Sequence, residues 1–478
     1  MNVVIARAEV GSRIVDVRFH GGLVAAIDES LTPRPGDDVI DACGGALLPG
    51  LHDHHLHLLG IAAAARSVDC GSPDITTRDE LESALRRASG RLAPGSWLRG
   101  VGYSERVAGN LDRWRLDQMV NDRPVRLQHR SGSLWILNSC GLTQVNDALD
   151  DSRDVERDDH GEPTGRLWRY DTRLRASKSL SSPIPDLARV GRRLAAFGIT
   201  GVTDATPNLD PHGTRLLISS VERGDLPQTI QLLGLARDSP VPQGLQVGPW
   251  KVHLRDHDLP SLAELKSTIA ECHARGQAVA VHCVTSESLL LTMAAWHSIG
   301  VLPGDRVEHA AIVPPEVKKQ LACWGVVVVT QPSFVGLRGD DYLDSVEPDD
   351  HDNLYPYKSL LDCGIRVAPS SDAPYGDLDP WRTMRHASSR RTHSGRTVGG
   401  RERVAAQQVL HGYLSELVAP GGPAREISVG RPADATLLSD GLNVALTDPS
   451  AERVRLTMKA GNIIFDTEMR NHDVDVRP

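Results

Sequence analysis

The chain has 478 residues, 40% of them hydrophobic and 24% charged, with a formal net charge of -9. That length can hold a barrel-sized domain plus a smaller one. The acidic balance argues against a nucleic-acid or anionic-membrane surface, either of which needs a basic face.

No run approaches the roughly 18 uninterrupted apolar residues of a membrane helix. Met1 to Arg7 shows no charged region followed by an apolar one, so no signal peptide is expected. Seven cysteines (Cys43, Cys70, Cys140, Cys272, Cys283, Cys323, Cys363) are scattered and contain no CxxC pair. Reduced, mostly buried thiols in a cytoplasmic protein are expected. The expected partner is a small-molecule substrate, with no nucleic acid and no membrane; a homodimer stays open.

In chain order, Val3 to Val10, Arg13 to His20, Leu23 to Asp28 and Val39 to Ala42 read as short strands separated by glycine and proline turns. Near the other end, Ala433 to Leu438, Val454 to Lys459 and Ile463 to Asp466 read alike, with a hairpin turn at Gly461-Asn462. Neither end could bury a core alone, so one small β domain assembled from both termini is expected.

Between them strand and helix alternate, the mark of parallel α/β architecture. Eight strands are predicted at Ala46 to Asp53, Thr200 to Asp204, Thr229 to Leu235, Trp250 to Leu254, Ala278 to His282, Arg306 to His309, Val326 to Thr330 and Ile365 to Pro369. Helical runs fill the gaps. Ser261 to Arg275 places Leu262, Leu265, Ile269 and Cys272 on one stripe, and Ser286 to Ser298 and Pro314 to Trp324 behave likewise. The pattern predicts a (β/α)8 TIM barrel.

An insertion of about 66–185 follows the first strand. It opens with the capping-box spacing of Thr77 and Glu80 and includes strand-like Trp97 to Tyr103 and Val125 to His129. Its position predicts a role in shaping the substrate pocket. Beyond Gln331-Pro332 about twenty polar, acidic residues read as a long loop, of the kind that forms a lid or flap. The later arginines, Arg382 to Arg403, read as a solvated run in preference to a carboxylate-binding patch.

The chemistry gathers at the predicted strand ends. Leu47 to Leu58 reaches a Pro-Gly and then four histidines in seven residues, with His55 and His57 spaced to share a face. Neutral imidazole is the commonest metal ligand. Lys251 lies in the fourth strand, His282 ends the fifth, His309 ends the sixth, and the eighth runs into Asp372. Each alone has a dull explanation, such as a satisfied histidine or an aspartate helix cap. Their convergence on the C-terminal rim, where barrel enzymes carry their chemistry, is the signal.

Pro49-Gly50-Leu51-His52-Asp53-His54-His55-Leu56-His57, Gly198 to Asp204, Arg306 to His309, Ser371 to Pro374 and Gly430 to Ala435 resemble signatures of the amidohydrolase superfamily. Asp159 to Gly165 is similar to a stretch of its family 3 branch. The resemblance spans nearly the whole chain. It implies a β-sandwich domain from residues 1–48 and 425–478 around a metal-dependent barrel at 49–424.

It further implies one or two divalent ions, zinc first, held by His55, His57 and Asp372 with His282 and His309. Lys251, if carbamylated, would bridge two ions. Asp372 would act as general acid–base, with His309 also in the catalytic set. The implied reaction is hydrolysis of an amide, formamide or cyclic C–N bond by metal-activated water. An ester or lactone, a deamination, or a barrel that only binds a ligand are the alternatives. Three stretches depart from the family pattern: Cys283 to Glu287 after His282, Ser133 before Asn138-Ser139, and Arg255 to Asp258 after Lys251.

Overall fold

The computed structural model describes residues 2–468 except 73, 178, 181–184 and 243. Two compact units emerge, residues 1–58 with 187–478, and Leu59–Asp186.

The first unit contains parallel strands β1 (Leu51–Leu56), β2 (Ile199–Asp204), β3 (Thr229–Leu232), β4 (Trp250–His253), β5 (Val279–Cys283), β6 (Arg306–His309), β7 (Val327–Thr330) and β8 (Arg366–Pro369). β1 to β3 form one ladder, extended by the short strand Leu245–Val247, and β4 to β8 form another. Backbone hydrogen bonds sew the two ladders together. At one seam the Lys251 N–H donates to the Leu233 carbonyl at 2.9 Å. At the other, the Asp372 N–H donates to the His55 carbonyl and the His57 N–H to the Ala373 carbonyl, both at 2.8 Å. The eight strands therefore close into the predicted barrel. Every residue of β6 and β7 is buried, as expected of parallel strands covered on both faces.

Helices pack between successive strands. Leu262–Ala274 starts at Ser261, whose hydroxyl accepts the Glu264 N–H while Glu264 accepts the Ser261 N–H. Leu265, Ile269 and Cys272 of the predicted stripe are buried, whereas Leu262 in the first turn faces solvent.

The predicted first strand is two strands. Leu47–Pro49 pairs with Ala435–Leu438, and Leu51–Leu56 joins the barrel beside β2. Gly50 is the switch between them. A Cβ there would lie 2.2 Å from Thr200 Cγ2, so only glycine lets the chain pass.

The strands at the two ends of the chain form two sheets. One contains Val3–Val10, Arg13–His20, Leu23–Asp28 and Asp38–Asp41; the other contains Leu47–Pro49, Ala435–Leu438, Val454–Lys459 and Asn462–Asp466. They share one apolar cluster, in which Val3, Ile5, Val17 and Phe19 meet Leu47, Leu437 and Met458. The last hairpin turns at Ala460-Gly461, one residue before the predicted place, and both residues have positive φ (48° and 80°).

In the second unit a six-stranded sheet is built from Val68–Asp69, Leu98–Tyr103, Val125–His129, Leu134–Leu137, Pro163–Trp168 and Val155–Arg157. Helix Arg78–Ser89 begins with the predicted capping box at Thr77 and Glu80 and buries Leu81 and Leu85. The family 3-like stretch Asp159 to Gly165 contains the turn between the last two of these strands.

Three expectations are corrected. The acidic stretch after Pro332 is helical, as helix α1 (Ser333–Ser345) followed by the 3-10 turn Pro348–Asn353. Phe334, Val335, Tyr342 and Leu343 join an apolar cluster with Leu354 and Tyr355, and the Asp340 and Asp344 carboxylates are bound by Arg396. Of the arginine run only Arg390 departs from the solvated reading; the other six arginines are exposed. Arg390 is fully buried and donates to the carbonyls of Val398, Tyr355 and Leu354 at 2.7–2.9 Å. Arg382 pairs with Asp377, and Arg385 with Asp448. The seven cysteines are all free, but only Cys70, Cys272 and Cys283 are buried; Cys43 and Cys323 are exposed. Cys323 falls on the solvent side of helix Pro315–Trp324, where spacing alone could not place it. Among the described residues no helix is long and apolar enough to cross a membrane.

Candidate metal centre

Alternation along β1 sorts its histidines between two faces. His52 and His54 turn to the surrounding layer, where their ring nitrogens meet the Ser415 carbonyl at 2.9 Å and the Gly412 carbonyl at 3.1 Å. Burial pushes His54 down to about 3, so it serves there as a neutral donor. Asp53 and His55 turn the other way, and His57 follows just beyond the strand. The Asp53 carboxylate accepts the N–H groups of His55 and Ser371, tying the end of β1 to the segment after β8.

His55, His57 and Asp372 bring one potential ligand atom each to within 4.8 Å of one another. His55 Nε2 lies 3.5 Å, and His57 Nε2 3.2 Å, from the same Asp372 oxygen. The other side of each ring is anchored. His55 Nδ1 donates to the Glu308 carboxylate, and His57 Nδ1 lies 3.3 Å from Thr206 Oγ1. Thr206 is placed in turn by Asp204, whose carboxylate accepts the Thr206 and Leu58 N–H groups. With its proton held on Nδ1, His55 turns a lone pair toward Asp372, itself an acceptor. Two acceptors facing each other at 3.5 Å call for a cation between them. The three residues fit a divalent metal.

Electrostatics agree with that fit. Burial, then Lys251, push His55 down to about 3 against the pull of Glu308, leaving the neutral imidazole that metals bind. Burial opposes charge on Asp372, yet the His57 hydrogen bond and the imidazoles of His309 and His55 hold it below the usual carboxylate range. Asp372 also has φ 51°, and His309 and Ala310 have φ 71° and 49°. Backbone held in this left-handed region at a cluster of polar side chains is characteristic of functional sites.

The other predicted residues stand around this core. The His309 ring centroid lies 4.8 Å from His55 and 4.4 Å from His282. Gln331 Nε2 donates to Ser370, which turns Gln331 Oε1 toward His309 Nδ1 at 2.8 Å. His309 therefore carries its proton on Nδ1 and keeps Nε2 as a lone-pair nitrogen. Lys251 is buried, and its Nζ has no hydrogen-bond partner among the described residues. Burial pushes it down to about 8, against the attraction of Glu308 and Asp372.

Residues 38–465 match the amidohydrolase family. The chain belongs to that family. An N-substituted formamide deformylase of Arthrobacter pascens is 26% identical, over 88% of this chain and 89% of its own. An uncharacterized metal-dependent hydrolase of Pyrococcus horikoshii OT3 superposes with a TM-score of 0.68 at 18% identity, covering 97% of this chain and 98% of that one. A 5-methylcytosine deaminase of Klebsiella pneumoniae gives 0.54 at 13% identity over 100% of both. The solved structures share the barrel fold.

Two further residues of this amidohydrolase-family enzyme lie beside the candidate centre and were overlooked by reading strand ends. Glu308 sits inside the sixth-strand signature, fully buried between His55 and the Arg306 guanidinium, 2.5 Å away. Burial opposes its charge, but Arg306, His55 and Lys251 hold it well below the carboxylate range. Its signal was the i+2 spacing from Arg306 on a barrel strand, which places both on one face. His253 was also overlooked; its ring lies 4.7 Å from His282.

Proposed function

We propose that the protein is a metal-dependent hydrolase that cleaves a C–N bond of a small molecule, of amide, formamide or cyclic amide type. The observation that carries this reading is the convergence of His55, His57 and Asp372 at one end of a closed barrel, with both imidazoles held from behind by a second group. The cation they would hold is zinc, with His282 and His309 completing that site or forming a second. When bound, such an ion supplies Lewis acidity and makes water acidic enough to react near neutral pH.

The chain's own groups supply the rest. Asp372, ionised and at the centre of the imidazoles, accepts the proton of the attacking water and returns it to the leaving nitrogen. Glu308 fixes the tautomer of His55, and Gln331 that of His309. Lys251, buried and partly deprotonated near neutral pH, has the neutral amine that carbon dioxide can carbamylate, and the carbamate would bridge two ions. The formamide deformylase of Arthrobacter pascens favours formamides within the substrate class.

The test is a hydrolysis screen of purified protein on N-formyl, N-acyl and cyclic-amide compounds, with and without chelator. Turnover that stops on chelation and returns with zinc is expected. Protein that binds no stoichiometric zinc, manganese or iron would overturn the reading.

A further inference from the structure

Five imidazoles form an arc across the barrel mouth. Successive ring centroids are 4.7 Å apart from His253 to His282, 4.4 Å from His282 to His309, 4.8 Å from His309 to His55, and 5.5 Å from His55 to His57. Four of the five are accounted for as candidate metal ligands. The fifth, His253, ends β4 in register with His282 on β5.

His253 differs from the other four. Its side chain is exposed, whereas the others are buried or part-buried. Neither of its ring nitrogens has a hydrogen-bond partner among the described residues, and it is not in the compact trio of ligand atoms. Lys251, two residues earlier on the same strand, is buried, so the strand rises from the closed floor of the site to its open mouth between the two residues. An imidazole with an unused N–H donor and an unused acceptor, stacked edge-on against a candidate ligand and open to solvent, is placed to meet an incoming molecule.

We propose that His253 is a substrate-contacting residue, whose ring N–H donates a hydrogen bond to the carbonyl oxygen of the scissile amide. This rests on the hydrolase reading above and adds the group that engages the substrate oxygen from the β4 side. A donor aimed at that oxygen gains strength as negative charge develops on it, so it should act on turnover more than on ground-state binding.

The experiment compares wild type with His253→Phe, which keeps a ring and removes both polar atoms, and with His253→Gln, which restores a donor. Each protein is loaded with zinc. Metal per chain, the melting curve, kcat and KM on a panel of N-alkyl- and N-arylformamides, and calorimetric affinity for formohydroxamate are then measured. We expect His253→Phe to keep its zinc and melting curve while losing about 100-fold in kcat/KM, mostly in kcat. His253→Gln should recover part of that loss, and the phenylalanine variant should bind formohydroxamate more weakly. Unchanged kcat/KM and hydroxamate affinity in His253→Phe would overturn the proposal, as would loss of zinc, which would make His253 a ligand instead. A zinc-loaded wild type that neither turns over any formamide nor binds the hydroxamate would overturn the hydrolase reading itself.

Discussion

The Glu308 carboxylate accepts the Nδ1–H of His55, while its other oxygen accepts the Nε–H of Arg306. Arg306 also reaches the His54 carbonyl at 3.4 Å, so a single buried chain of contacts ties β6 to β1 behind the candidate centre. The carboxylate orients the imidazole and would raise its basicity toward a bound metal.

Glu308→Gln keeps the shape and removes the charge. It should weaken zinc binding by about 10- to 100-fold, the usual cost of losing such a partner to a metal-bound histidine. Competition with a chromogenic chelator measures this directly. Unaltered zinc affinity would mean that Glu308 only packs the strand pair.

Asp372→Asn tests proton transfer. The amide cannot accept the proton of water, so turnover should fall by at least about 100-fold. Zinc content should be measured on the same sample, because the substitution also removes a charged ligand. A variant that retains zinc and full turnover would refute the assigned role.

Lys251 offers a chemical readout. In protein grown or incubated with 13C-labelled bicarbonate, a carbamate carbonyl resonance should appear and should be absent from Lys251→Arg. If the wild type shows no such signal when loaded with zinc, Lys251 is an amine and the centre needs no bridging carboxylate.

Arg390 tests stability away from the chemistry. Its guanidinium satisfies three backbone carbonyls in the interior, and burial lowers its pKa to about 10. Arg390→Met should cost about 3–4 kcal/mol, because three buried acceptors lose a charged donor. The fall should show in chemical denaturation of the metal-loaded protein. An unchanged midpoint would mean that water replaces the guanidinium.

Much of this molecule could be read from the order of its residues. The short, valine-rich apolar runs at Val279 to Val281 and Val326 to Val329 read as strands covered on both faces. The polar residues that end such strands, His282 and His309 among them, fall on one rim because parallel strands all point the same way. The capping box at Thr77 depends on contacts within four residues, so the sequence alone determined it.

Other features depend on partners far away in the chain. Residues 333–345 look like a polar loop until Tyr355 and Arg396 supply the packing and the charge that make them a helix. Arg390 looks solvated until the carbonyls of Leu354 and Tyr355 close around it. Glu308 hides within a recognisable signature because its importance lies in touching His55, 253 positions earlier. Local order determined which side chains reach the mouth of the barrel. Only closure of the ring decided which of them stand close enough to share a proton or a cation, since those interactions act over a few ångströms in space, whatever the separation along the chain.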